Sequence, residues 1–156
     1  MKKNMLSKTQ IKEISHTSEI RIRFAETDPL SIVWHGNYIQ YFEDGREAFG
    51  RAHGISYLDQ KAHGFTTPIV KTNTEHKLPL FYGDIATIKT TFINSNAAKM
   101  VFKYQIFNAK NQVVCEGSTT QVFVSHVGEK MNEGELQLVA PKFFLDWKRK
   151  VGLLDE

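Results

Sequence analysis

The chain has 156 residues, 41% of them hydrophobic, and a net charge of +3, which is the size and balance of one folded domain able to build its own core. A single cysteine, Cys115, excludes an intrachain disulfide and a cage of cysteines around zinc. The small excess of 20 Lys and Arg over 17 Asp and Glu favours an anionic small ligand and argues against nucleic acid, which asks for a clustered basic face.

The densest basic run, Lys148-Arg149-Lys150, reads as a solvated helix end. No apolar stretch reaches the ~20 residues of a membrane span. Met1-Lys2-Lys3-Asn4 opens like a signal peptide, yet no apolar run of roughly 7–15 residues follows. The cytoplasm is the expected compartment.

Residues 1–16 are polar and weakly patterned and are expected to form a loosely ordered arm. From Glu19 the pattern alternates, with Ile20, Ile22 and Phe24 on one face and Arg21 and Arg23 on the other. That period of two predicts a half-buried strand, ended by Glu26-Thr27-Asp28-Pro29. Tyr38, Tyr41, Phe42, Gly45 and Phe49 then recur at helical spacing, predicting an amphipathic helix stopped near Gly50 or Gly54. Gly45 and Gly50 each weaken such a helix by ~1 kcal/mol relative to Ala, so a neighbour is expected to approach its backbone there. A short helix capped by Ser56 and stopped at Gly64 follows.

The remainder reads mostly as strands: Thr66 to Leu78, Ile85 to Ile93, Met100 to Ile106 and Gln112 to His126, parted by turns at Asn94-Ser95-Asn96 and Asn108 to Asn111. A last amphipathic helix spans residues 141–151, with Pro141 in its first turn. One long helix followed by a run of strands predicts an α+β domain over residues 1–156, its antiparallel sheet packed on that helix.

Chemistry is expected between the first strand and the long helix. A helix start offers backbone N–H groups without intrahelical acceptors and the positive end of the helix dipole. An acyl oxyanion suits that position, and Asp28 upstream supplies a carboxylate to act as nucleophile or general base. An Asx turn is the competing role for Asp28, and helix entry the competing role for His35. Glu43 and Arg46 are spaced to pair on the helix surface, and Glu43 is a second candidate carboxylate. Cys115, flanked by Val113 and Val114, reads as a small core residue. The remaining histidines show no ligand spacing, so no metal site is expected.

Asp28-Pro29-x-x-Ile32-Val33-Trp34-His35-Gly36-Asn37-Tyr38, followed by Tyr41-Phe42-Glu43 and Arg46, resembles the signature of hot-dog-fold acyl-CoA thioesterases. The pattern is most similar to 4-hydroxybenzoyl-CoA thioesterases and the short-chain acyl-CoA thioesterases of Tol–Pal gene clusters, and it continues through Thr67-Pro68-Ile69-Val70 to about Val124. The resemblance implies a hot-dog sheet around the long helix, and homodimers or homotetramers with active sites between protomers. It implies Asp28 and His35 as catalytic residues, and Ser31, Val33, Trp34, Gly36, Tyr38, Thr67 and Pro68 along the substrate. It implies no cofactor. Ser31 stands where the family carries Gly, a position suited to positive φ. Of the basic cluster that grips CoA phosphates in some members, Lys99 alone remains. The expected activity is hydrolysis of an acyl thioester. An acyl carrier protein as donor, a non-catalytic acyl-CoA or carrier-protein binding module, and a hydratase on the same fold stay open.

Overall fold

The computed structural model describes residues 13–126 and 133–155. Strand β1 (Glu13–Arg21) leads through a 3-10 turn (Phe24–Glu26) to helix α1 (Asn37–His53) and the short α2 (Tyr57–Ala62). Strands β2 (Phe65–Thr66), β3 (Ile69–His76), β4 (Ile85–Ile93), β5 (Lys99–Phe107) and β6 (Val113–Val122) follow. The chain then forms β7 (Val124–His126), β8 (Gly134–Leu136) and helix α3 (Lys142–Lys150). The main sheet has the order β1-β4-β5-β6-β3, with every neighbouring pair antiparallel. A smaller sheet has the order β2-β7-β8.

Alternation decides which face of the main sheet meets α1. Ala86, Ile88, Thr90 and Phe92 on β4, with Met100, Phe102, Tyr104 and Ile106 on β5, are buried while their neighbours are less so. From α1, Tyr38, Tyr41, Phe42, Gly45, Arg46, Phe49 and Gly50 are buried. Phe42 stacks on Tyr104 at 4.4 Å between ring centroids, and Phe49 meets Phe102 edge-on at 5.2 Å. Each fully buried side chain of this size contributes about 1.5–3 kcal/mol. The close approach expected at the two helix glycines is present. A Cβ on Gly45 would lie 2.4 Å from Thr90 Oγ1, and one on Gly50 2.9 Å from Ser56 Cα.

Local chemistry sets the helix ends. Gly54 closes α1 at φ 72°, its N–H donating to the Gly50 carbonyl, a conformation that suits Gly. Ser56 opens α2 with a reciprocal capping box, in which its Oγ accepts from the Asp59 N–H and the Asp59 carboxylate accepts from the Ser56 N–H at 2.9 Å. Pro141 precedes α3, and Trp147 Nε1 on that helix donates to the His53 carbonyl at 2.7 Å. This bond docks α3 on the end of α1.

The structure departs from the sequence reading in several places. Residues 13–16, expected in a loose arm, form the first part of β1; residues 1–12 lie outside the described residues. The strand ends at Arg21, and Phe24 is 76% exposed, because the Glu26 carboxylate folds back to accept from the Arg23 N–H at 2.7 Å and tightens the 3-10 turn. Residues 112–126 are not one strand but β6 and β7, divided at the buried Phe123, so that each half serves a different sheet. Lys148 is not solvated: its Nζ donates to the Ser95 carbonyl at 2.6 Å and lies 4.8 Å from the Phe144 ring centroid. Glu43 and Arg46 do not pair, since Arg46 turns inward and donates to Tyr57 and Tyr104. Cys115 is a buried core residue, as expected. No helix among the described residues is long and apolar enough to cross a membrane.

Candidate active site

The loop from Thr27 to Val33 is a tight excursion held at its base. The Asp28 N–H donates to the Ile32 carbonyl and the Ser31 N–H to the Asp28 carbonyl, both at 2.9 Å. Ser31 takes φ 66°, the conformation for which Gly is better suited. Asp28 Oδ1 accepts from the Leu30 N–H at 2.8 Å, so the carboxylate does form an Asx turn. Only one of its two oxygens is used by that bond.

Two further contacts set the loop against its surroundings. The Trp34 N–H donates to the Glu26 carbonyl at 2.9 Å, and Asn37 Nδ2 reaches the same carbonyl at 2.7 Å. The Val33 N–H donates to the Leu80 carbonyl at 2.8 Å, and Ile32 bridges to Phe81. These bonds carry the segment after β3 alongside the loop. Helix α1 then starts from Gly36 without a side-chain cap. Among the described residues, the N–H groups of His35 and Gly36 have no protein acceptor. They are donors available to a ligand.

One open cleft of about 450 Å³ is lined by Asp28, Leu30, Ile32, Val33, His35, Tyr38 and the stretch His76 to Pro79. Of the residues singled out from sequence, it gathers Asp28, Val33, His35 and Tyr38. Ser31 supplies the turn. Trp34 packs over Gly36, where an added Cβ would lie 2.2 Å from its ring. Thr67, Pro68 and Lys99 are not in this cleft. Thr67 is buried and donates to Gln60 Oε1, whereas Pro68 and Lys99 are exposed elsewhere. Glu43 is exposed on α1 and does not line the cleft.

His76 was not among the expected site residues. Its ring lies 4.9 Å from that of Tyr38 and 6.4 Å from that of His35, centroid to centroid. Nothing in the alternation of β3 marks it, because its place depends on the strand order and on the Val33–Leu80 bond. Burial pushes the Tyr38 phenol up to about 12. Tyr38 is therefore a neutral hydrogen-bonding and packing group at neutral pH.

An antiparallel sheet packed on one long helix, with a carboxylate loop at the helix start, defines an α+β protein of the hot-dog class. Residues 22–146 match the family model described as the thioesterase-like superfamily, and the chain belongs to that superfamily of thioester hydrolases. It is 33% identical over 83% of its length to the Bacillus subtilis (strain 168) protein named "Putative acyl-CoA thioesterase YneP", covering 89% of that protein. Among solved structures, the DHNA-CoA thioesterase from Staphylococcus aureus aligns with a TM-score of 0.75 at 29% identity, over 88% of each chain. The 4-hydroxybenzoyl-CoA thioesterase from Pseudomonas sp. strain CBS-3 shares the fold, with a TM-score of 0.71 at 23% identity over 88% of this chain and 99% of that one.

Proposed function

We propose that this chain hydrolyses acyl-CoA thioesters to free acid and CoA, with Asp28 as the reacting carboxylate. The reading rests on one juxtaposition: Asp28, half-buried, and His35 line one cleft, and the N–H groups of His35 and of the adjoining Gly36 have no protein acceptor among the described residues. A thioester carbonyl seated on those N–H groups would have its developing negative charge stabilised in the transition state. Asp28 would either attack the carbonyl carbon, giving an anhydride that water then opens, or take a proton from the attacking water. In both routes the C–S bond breaks and the thiolate leaves with the electron pair. Thiolates are good leaving groups, so one carboxylate and an oxyanion site are sufficient chemistry. His35, Tyr38 and His76 would line the acyl or pantetheine path.

The site is completed, on this reading, by a second copy of the chain. Strand β3 is an edge strand bonded only to β6 in the main sheet, and all of its residues except Thr72 are exposed, Ile69 and Val70 included. Such an edge invites pairing, and its last residue, His76, borders the Asp28 cleft. Pairing there would bring another copy's residues to the mouth of the cleft. Pro68 and Lys99, exposed and apart from the cleft within one chain, are the proposed substrate contacts from this second copy, with the buried Thr67 holding Pro68 in place.

The test is thiol release from acetyl-, butyryl-, hexanoyl-, palmitoyl-, benzoyl- and 4-hydroxybenzoyl-CoA, with the Asp28→Asn variant beside the wild type. Turnover on part of the panel that is lost in the variant is expected. Near-normal turnover by the variant refutes the role of Asp28. Saturable acyl-CoA binding without thiol release from any member of the panel refutes hydrolysis of CoA thioesters.

A further inference from the structure

Arg46 is a buried cation held by two phenols, with its guanidinium carbon 5.9 Å from the Tyr57 ring centroid and no carboxylate partner among the described residues. It sits on the sheet-facing side of α1 and is 7% exposed. Its Nε donates to Tyr57 Oη at 2.7 Å and its Nη1 to Tyr104 Oη at 3.0 Å. Both partners are neutral phenols, and no described carboxylate pairs with it. A guanidinium carries five N–H donors, so most of its donor capacity is unused. A buried cation without a counter-charge is costly.

Beside it lies a cavity of about 150 Å³, lined by Arg46, Tyr57, Gln60 and Gln121 on its polar side and by Phe49, Ile55, Met100 and Phe102 on its apolar side. Glu47 and Arg51 also border it, but they face each other at 3.8 Å. Gln121 is 1% exposed. Its Nε2 is bound by the Thr67 carbonyl at 2.7 Å, yet its Oε1 has no partner. The cavity wall thus holds a cation with no carboxylate partner among the described residues, with an apolar surface beside it. Arg46 lies about 12 Å along α1 from Tyr38 at 1.5 Å per residue, and none of these residues lines the Asp28 cleft.

We propose that this cavity is a binding site for a short-chain carboxylate. The carboxylate would pair with the free edge of Arg46, and the short alkyl body would lie against Phe49, Met100 and Phe102. The volume suits a small molecule, since a cavity of ~150 Å³ accepts one the size of benzene. Butyrate, with the same number of non-hydrogen atoms, matches it. The cation requires an anion and the apolar wall excludes a fully hydrated one, which favours a short carboxylate over inorganic phosphate. This assignment does not depend on the chemistry at Asp28.

Calorimetric titration of the wild-type protein at pH 7 with butyrate, and separately with butyramide, tests it. Saturable one-to-one binding of butyrate is expected, with butyramide roughly tenfold weaker or more, because the charge-assisted bond to Arg46 is lost. Arg46→Met is expected to abolish binding. Should that variant fail to fold, the comparison of butyrate with butyramide in the wild type decides alone. Asp28→Asn locates the site, since removing a nearby negative charge would tighten butyrate held in the Asp28 cleft and leave butyrate held by Arg46 unchanged. No saturable heat, equal affinity for butyramide, or tighter binding by Asp28→Asn would each overturn the proposal.

Discussion

Tyr38 and His76 meet edge-to-face at 4.9 Å, joining the first turn of α1 to the last residue of β3. Their contact makes one wall of the Asp28 cleft from two elements remote in sequence. Removing the imidazole in His76→Ala opens that wall without disturbing a core residue, since His76 is exposed. We expect KM for the best acyl-CoA to rise roughly tenfold, equivalent to about 1.4 kcal/mol, with kcat changed far less. Steady-state kinetics across the acyl panel checks this, and an unchanged KM would remove His76 from the substrate path.

Asp28→Asn should leave the loop intact, because an asparagine oxygen can accept the same Leu30 N–H and preserve the Asx turn. The expected loss in kcat is on the order of 10²–10⁴, the range for a positioned acid–base group. Thermal unfolding of the variant should coincide with that of the wild type. A matching loss of stability would mean that the carboxylate serves the turn and not the reaction.

Ser31 occupies the left-handed region at φ 66°, which costs a non-glycine residue roughly 1–2 kcal/mol. Glycine removes that strain but adds unfolded-chain entropy worth roughly 0.5–1 kcal/mol. Ser31→Gly is therefore expected to be neutral or stabilising by up to ~1.5 kcal/mol, and Ser31→Val destabilising. Denaturant titrations of the two variants give the sign.

Gly117 on β6 lies under the core end of α1. A Cβ there would fall 2.4 Å from the Phe42 ring and 2.5 Å from the Asn73 carbonyl oxygen. The ring is locked in a stack with Tyr104 and the carbonyl belongs to the neighbouring strand, so neither can yield cheaply. Gly117→Ala should cost about 1–3 kcal/mol, measurable as a lower denaturation midpoint at unchanged slope.

Alkaline pH should weaken the fold. Burial raises the Tyr38 phenol from 10.0 to about 12 and the Cys115 thiol from 9.0 to about 11. The unfolded chain therefore loses these protons first. The stability they carry is complete below pH 9, declines as pH rises through that point, and is gone for both groups above about 12. Denaturation midpoints followed from pH 8 to 11.5 should fall, and Tyr38→Phe should flatten the upper part of that decline. The same burial keeps Cys115 silent toward a disulfide chromogen in the native protein, so thiol release from CoA can be read without a protein background.

Residue periodicity was enough to place α1, α2, α3, β4 and β5 within a residue or two, because each carries a strong period and a cap or turn at its ends. The beginning of β1 was not readable. Its inward positions are Ile14, His16, Ser18 and Ile20, and two polar residues on the half-buried face erase the alternation. Phe24 misled in the other direction: its spacing continues the strand, but the bond from the Arg23 N–H to Glu26 turns the chain first. The spacing of Arg46 to Glu43 predicts a surface charge. Helical spacing fixes the face a residue occupies, not whether buried phenols await it, and Tyr104 arrives from a strand far along the chain.

The sequence by itself determined the α+β class, the helix boundaries and the carboxylate loop at the helix start, because each follows from local period, turn chemistry and a compact motif. Only the tertiary structure decided that His76 joins that loop, that Thr67 turns into a buried hydrogen-bond network, and that Arg46 faces a cavity without a counter-charge. Those outcomes depend on which strands become neighbours, and strand order is settled by long-range packing of the whole apolar face on α1.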